Sequence, residues 1–164
     1  MTKERLNQIF VGTAASRKDV VAKYQAALSM KGDAARGKTV FETACATCHR
    51  AGDLGKDVGP NLATIRQWSP EQMLINILDP NREVAPNFVG YTIETKDGRI
   101  IDGLIVAESA ASLTLKRAEG VTEMVLRRDI AQLSASGLSL MPEGLETAVS
   151  VEQMADLLAF LLPP

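Results

Sequence analysis

Apolar and polar positions along the chain change period twice. Over Val20 to Met30 the period is helical, with Val20, Val21, Tyr24, Ala27 and Leu28 on one side. Gly32 is predicted to close that helix as its C-cap, and Asp33 to cap the next. The next helix is predicted over Ala34 to Cys45, with Gly37, Val40, Phe41 and Ala44 on its buried side. Gly52 to Pro60 reads as loop, punctuated by Gly52, Gly55, Gly59 and Pro60. A new helix starts at Ser69-Pro70-Glu71-Gln72: Ser69 caps, Pro70 takes the first helical position, and Gln72 stands three residues after the cap. It should stop at Asp79-Pro80.

From about Asn87 the period falls to two. Val89 to Thr95 alternates, Asp97-Gly98 turns the chain, and Arg99 to Val106 returns. Short strands follow at Ser112 to Arg117, Glu123 to Leu126 and near Ile130 to Leu133, making a meander of about five, enough for a small barrel or curled sheet. After Gly137 the pattern reads as helical again. Ser150 caps a last helix, Val151 to Leu161, with Met154, Leu157, Leu158 and Leu161 on one face.

That last face is too apolar to stand alone. It must return to the early helices, which makes the strands an insertion. The fold class is therefore mainly α with an inserted small antiparallel β-barrel or sheet, α+β overall. The organisation is a helical extension over 1–32, a split helical domain over 33–86 and 137–164, and a β-subdomain over 87–136.

Net charge is −2 and aromatics make up 4% of the 164 residues, which removes a basic face or a stacking surface for nucleic acid and a polybasic patch for membrane. No apolar run reaches the roughly 20 residues of a bilayer span. Met1-Thr2-Lys3-Glu4-Arg5 lacks the apolar stretch of a secretory signal. The chain is read as a domain of a longer exported protein, its signal outside this sequence and its first 32 residues a connecting helical segment.

Both cysteines and the single histidine fall in one pentapeptide, Cys45-Ala46-Thr47-Cys48-His49. C-x-x-C-H is the attachment sequence for c-type haem. Residues three apart share a helical face, so two thiols at this spacing reach two vinyl groups on one haem edge, and the adjacent histidine is placed to ligate iron. The alternatives fit less well. A thioredoxin-type pair opens a helix after a strand, whereas this pair ends a helix. A zinc site needs about four ligands, and the Cys and His total is three. A disulfide across two residues would be strained.

With one histidine, bis-histidine ligation is excluded, and methionine is the usual remaining soft ligand. Met73 and Met154 sit on helix faces as core filler, Met30 precedes the attachment helix, and Met124 lies among the strands. Met141, in the loop Ser139-Leu140-Met141-Pro142-Glu143-Gly144, is favoured as the sixth ligand, with Lys, water or an open site as alternatives.

These stretches resemble class I cytochromes c. More closely, they resemble the haem-binding domain of planctomycetes, verrucomicrobia and related bacteria, there often the C-terminal part of large exported proteins with propeller-type dehydrogenase domains. Gly37-Lys38-Thr39-Val40-Phe41, Cys45 to His49, Gly59-Pro60-Asn61-Leu62, Ile77-Leu78-Asp79-Pro80, Ser139 to Leu145 and Ala155 to Leu161 carry the likeness, over about residues 33–164. It implies that Gly37 and Phe41 lie where the first helix crosses the last, against Phe160. It implies that the Pro60 carbonyl accepts the His49 Nδ1 hydrogen bond. It implies that Leu62, Ile65 and Trp68 line the haem pocket, with Trp68 donating to a propionate or simply packing. Arg66 is either a propionate partner or a solvated charge.

The implied function is one-electron transfer by a single, covalently held, His/Met-ligated haem c in an extracytoplasmic, periplasmic module. Its partner is a redox protein or a fused dehydrogenase domain, with a homodimer possible through the amphipathic N-terminal helices. No nucleic acid and no membrane span are expected, and no catalytic constellation stands out. The rival is a haem enzyme or gas sensor, peroxidase-like, with a labile sixth ligand. A third reading makes the β-segment, which resembles a small Sm-like barrel, an assembly module.

Overall fold

The computed structural model describes residues 17–162. Helix α1 covers residues 17–24 and tightens into a 3₁₀ turn, Gln25–Ser29. The single helix expected over Val20 to Met30 is thus two pieces, and the N-terminal 16 residues of the expected extension lie outside the described residues. Helix α2, Ala34–Ala44, starts where the Asp33 carboxylate accepts the N–H groups of Ala35 and Arg36. Helix α3, Pro70–Leu78, and helix α4, Val151–Leu161, each open on a full capping box, Ser69 with Gln72 and Ser150 with Gln153.

Two short strands, β1 (Arg50–Ala51) and β2 (Leu54–Gly55), pair with each other, β2 falling inside the Gly52 to Pro60 stretch read as plain loop. Five longer strands follow: β3 Val89–Thr95, β4 Ile100–Glu108, β5 Ser112–Lys116, β6 Thr122–Leu126 and β7 Ile130–Ser139. They form one antiparallel sheet in the order β6-β5-β4-β3-β7. The edge strands β6 and β7 do not pair, so the sheet is open and the barrel alternative is corrected. Strands take as many residues as α-helices, so the fold is mixed α+β rather than mainly α. Strand β7 runs through Gly137 to Ser139, where the sequence suggested a return to helix. Before α4 only one 3₁₀ turn forms, Leu145–Thr147.

Two clusters of buried residues result. The larger joins Tyr24, Val40, Phe41, Met73, Leu74, Leu78, Met154, Leu157 and Leu161, from all four helices. The smaller lies against the sheet: Ile93, Ile101, Leu113, Leu115 and Val125.

The closest approach in the helical part is between α2 and α4. A Cβ at Gly37 would lie 1.9 Å from the Asp156 carbonyl oxygen, and one at Gly32 would lie 2.1 Å from that of Ala155. Gly32 is therefore required by close packing, not by the left-handed conformation of a C-cap, since it is not among the glycines with positive φ. Phe41 and Phe160 meet at the same crossing, ring centroids 5.5 Å apart and planes tilted by 45°. Asp156, 6% exposed, clamps it further. Its carboxylate accepts the Asp33 N–H at 2.7 Å and Arg36 through two nitrogens at 2.7 and 2.8 Å.

Gly37→Ala should lower stability by about 1–3 kcal/mol, because backbone must separate to admit the methyl. Urea unfolding measures it, and an unchanged midpoint would mean the helices do not cross as described. The bond from Arg36 is the leading cause that holds the Asp156 carboxyl below its usual range, while burial opposes it. A depressed folded value stabilises above the unfolded pKa, and that contribution is lost as pH falls through the folded value. Asp156→Asn should therefore lose less stability than the parent between neutral and acid pH, read from unfolding midpoints across that range.

Candidate functional site

Helix α2 delivers the attachment segment. Its ladder closes with the Cys45 and Ala46 N–H groups both donating to the Phe41 carbonyl at 2.9 Å. The chain then makes one more tight turn, with Cys48 and His49 N–H groups donating to the Cys45 carbonyl at 3.1 and 2.9 Å. This turn keeps the two cysteines one coil apart on one side. The following loop folds back onto it: Lys56 N–H donates to the Ala46 carbonyl, and Val58 and Gly59 N–H groups to the Cys48 carbonyl at 2.9 and 2.8 Å.

That loop fixes the imidazole. His49 Nδ1 lies 2.9 Å from the Pro60 carbonyl. A carbonyl only accepts, so Nδ1 carries the proton and Nε2 keeps its lone pair. No hydrogen bond to Nε2 forms among the described residues. Gly59 is needed for this placement, since a Cβ there would come within 2.6 Å of the ring. Burial lowers the His49 pKa and favours the neutral ring, while the Pro60 bond pulls the other way.

Both cysteines are free thiols. Burial first, and the neighbouring Cys48 second, push the Cys45 thiol up to about 11, and burial raises Cys48 as well. A redox dithiol needs a lowered thiol pKa, so the thioredoxin-type alternative loses its chemistry here.

The thiols and the imidazole open into a cleft of about 420 Å³, within the range of cofactor sites. Its walls contain all eight residues singled out from the sequence: Cys45, Cys48, His49, Pro60, Leu62, Ile65, Trp68 and Met141. Its lining is mostly apolar. A neutral imidazole nitrogen without a protein partner, two thiols one coil apart and a thioether in one apolar cleft are a donor set that fits haem c. Among the other methionines, Met154 is 0% exposed inside the helical core and Met124 is 65% exposed on β6. Met30 is exposed before α2, and Met73 reaches the cleft wall but is 2% exposed within the core. Met1 lies outside the described residues. Arg66 sits in a neighbouring hollow with Lys38 and Asp53 and does not line the cleft.

The inserted sheet, whose place between the attachment motif and Met141 in sequence suggested that it flanks the site, contributes to the cleft directly. Leu104 of β4 is buried and lines the cleft, joined by Phe88 from the turn before β3. Ile101 and Ile105 face the sheet's own core, so an apolar residue at 104 falls on the opposite face, and that break in alternation was the available signal. The β5–β6 turn touches the motif itself: the Glu119 N–H donates to the Thr47 carbonyl at 2.9 Å, with Glu119 held at φ 63°. Alongside, Lys116 Nζ donates to the Asp57 carbonyl at 2.9 Å.

Among the described residues no helix is long and apolar enough to cross a membrane. Among curated proteins no significant relative of the chain was found. Residues 34–96 match the model of the family described as Cytochrome c, a stretch that includes the attachment turn and ends just past β3, short of Met141 and α4. That match, with the C-x-x-C-H spacing inside it, supports a class I, c-type cytochrome that carries covalently bound haem c and serves electron transfer.

Proposed function

We propose that the chain is a monohaem electron carrier in which Cys45 and Cys48 hold the haem, and His49 Nε2 and the Met141 sulfur ligate its iron. The observation that carries this reading is the shared cleft: the oriented imidazole and the Met141 side chain line it together with both thiols. Bound there, haem c supplies a ferrous/ferric couple, and methionine ligation favours a raised potential. The chain's own residues do the rest. Pro60 fixes the tautomer and ring orientation of His49. Leu62, Ile65, Trp68 and Leu104 exclude water from the cleft walls and keep the local dielectric low.

The split organisation belongs to this reading, with a haem domain over 33–86 and 137–164 around the segment 87–136. Its support is the packing of α4 on α2 and the separateness of the two buried clusters. The placement of a sheet between α3 and α4 accords with the planctomycete-type subfamily. On that resemblance the chain serves a larger exported, dehydrogenase-like protein, while a homodimer has no support beyond the amphipathic N-terminal segment. A domain that carries haem c through two thioethers belongs in a compartment of exported proteins, here the periplasm.

Holoprotein should keep its colour in the protein phase after acid-acetone extraction, and the Cys45→Ala/Cys48→Ala double variant should release it. Colour lost from the parent protein would overturn covalent attachment. Met141→Ala should convert the oxidised spectrum to a high-spin or solvent-ligated form, lower the potential and open the iron to carbon monoxide. An unchanged spectrum would remove Met141 as the ligand. Rapid carbon monoxide binding by the parent at neutral pH would favour the labile-ligand enzyme or sensor instead.

A further inference from the structure

The stretch Asp79-Pro80-Asn81 follows α3 and supplies none of the proposed haem ligands. Its Asn81 is half-buried, and its side-chain amide is spent entirely on the Met141 loop. Asn81 Oδ1 accepts the Ser139 N–H at 2.9 Å, and Nδ2 donates to Glu143 Oε1 at 2.7 Å. One planar group thus grips the loop two residues before and two residues after the methionine. Between the grips, Ser139 Oγ accepts the Met141 N–H at 3.1 Å, so the chain of bonds runs from Asn81 through Ser139 to Met141 itself. Behind them Arg17, buried at the start of the described chain, donates to the Leu78 carbonyl at 2.8 Å, bonds Glu146 through two nitrogens and lies 3.9 Å from Glu143. Tyr24 OH donates to the Val149 carbonyl at 2.6 Å.

We infer that Asn81 is a positioning residue for the sixth ligand: by tying the loop to the end of α3 on both sides of Met141, it sets how firmly the thioether stays on the iron. The inference rests on Met141 being that ligand. Asparagine has the chemistry this needs, since its amide holds an accepting oxygen and a donating NH₂ in a single plane. Aspartate at the same place keeps an acceptor for Ser139, but it loses the donor and sets a second carboxylate against Glu143. A role confined to stability would lower the melting temperature and leave ligation alone. A positioning role makes the thioether easier to displace.

The test uses ferric holoprotein of the full chain, titrated with imidazole as a competing ligand. With both bonds lost, Asn81→Ala should raise apparent imidazole affinity about tenfold or more. It should also weaken the charge-transfer band of methionine-ligated ferric haem. Asn81→Asp, equal in size, should do the same and keeps the test available if the alanine variant folds poorly. Ile93→Val, in the separate sheet core, should lower stability without changing imidazole affinity. Met141→Ala sets the ceiling. If it raises imidazole affinity while both Asn81 variants match the parent, the positioning role is overturned and the ligand assignment stands. If Met141→Ala itself leaves affinity and band unchanged, the ligand assignment falls and the inference falls with it.

Discussion

The backbone of α4 occupies the space that side chains at positions 32 and 37 would need. Contact of this kind is close because glycine removes the Cβ, and it leaves little room for the two helices to slide or tilt. Everything at the cleft hangs from this crossing. Helix α2 ends directly in the attachment turn, and α4 begins a few residues after the Met141 loop. Fixing the pair therefore fixes the spacing between two halves of a site almost a hundred residues apart in sequence. The Asp156 carboxylate sharpens the arrangement by joining the N-terminus of α2 to the middle of α4 through charge-assisted bonds.

Local signals explain which parts of this were readable in advance. Ser69 with Gln72, Ser150 and Asp33 announce helix starts because capping is chemistry within four residues, and each starts its helix as read. The pentapeptide at 45–49 is equally local, and so is the Asp97-Gly98 turn, with Gly98 at φ 85°. The errors occur where tertiary context decides. Gly32 looks like a cap when only its neighbours in sequence are considered, and it is a packing glycine once α4 is in place. Strand β7 reads as short because Ser134-Ala135-Ser136-Gly137 has little strand propensity, yet pairing with β3 carries it to Ser139. Closure of the barrel depended on β6 meeting β7, and no periodicity encodes that. Asn81 was invisible for the same reason: a polar residue after Asp-Pro looks like an ordinary turn until its partners sixty residues away are known.

The sheet does more than fill a gap between helices. Its β5–β6 turn donates to the carbonyl of Thr47, between the two attachment cysteines, from a non-glycine residue in the left-handed region. Such a conformation costs on the order of 1–3 kcal/mol and persists only when surroundings hold it. Here the restraint is supplied by the hairpin and by Lys116 on the Asp57 carbonyl. The edge of the cleft nearest the thiols is thus partly covered by this chain's own strands.

The two sides of the cleft are built by different physics. On the histidine side the bonds that orient His49 come from the same short stretch, from the Cys45 and Pro60 carbonyls, while Glu119 and Lys116 brace that stretch from outside. Closing so small a loop costs little entropy, and backbone bonds survive most substitutions because no side chain makes them. On the methionine side the restraints are side chains reaching across 58 to 129 positions, from Asn81 and Arg17 to residues 139–146. Each can be removed by one substitution, and each is only as firm as the packing of α1 and α3 beneath it. The imidazole side is therefore the rigid half and the thioether side the adjustable one. On the ligation proposed above, changes that tune it belong among the residues around Met141 rather than in the attachment motif.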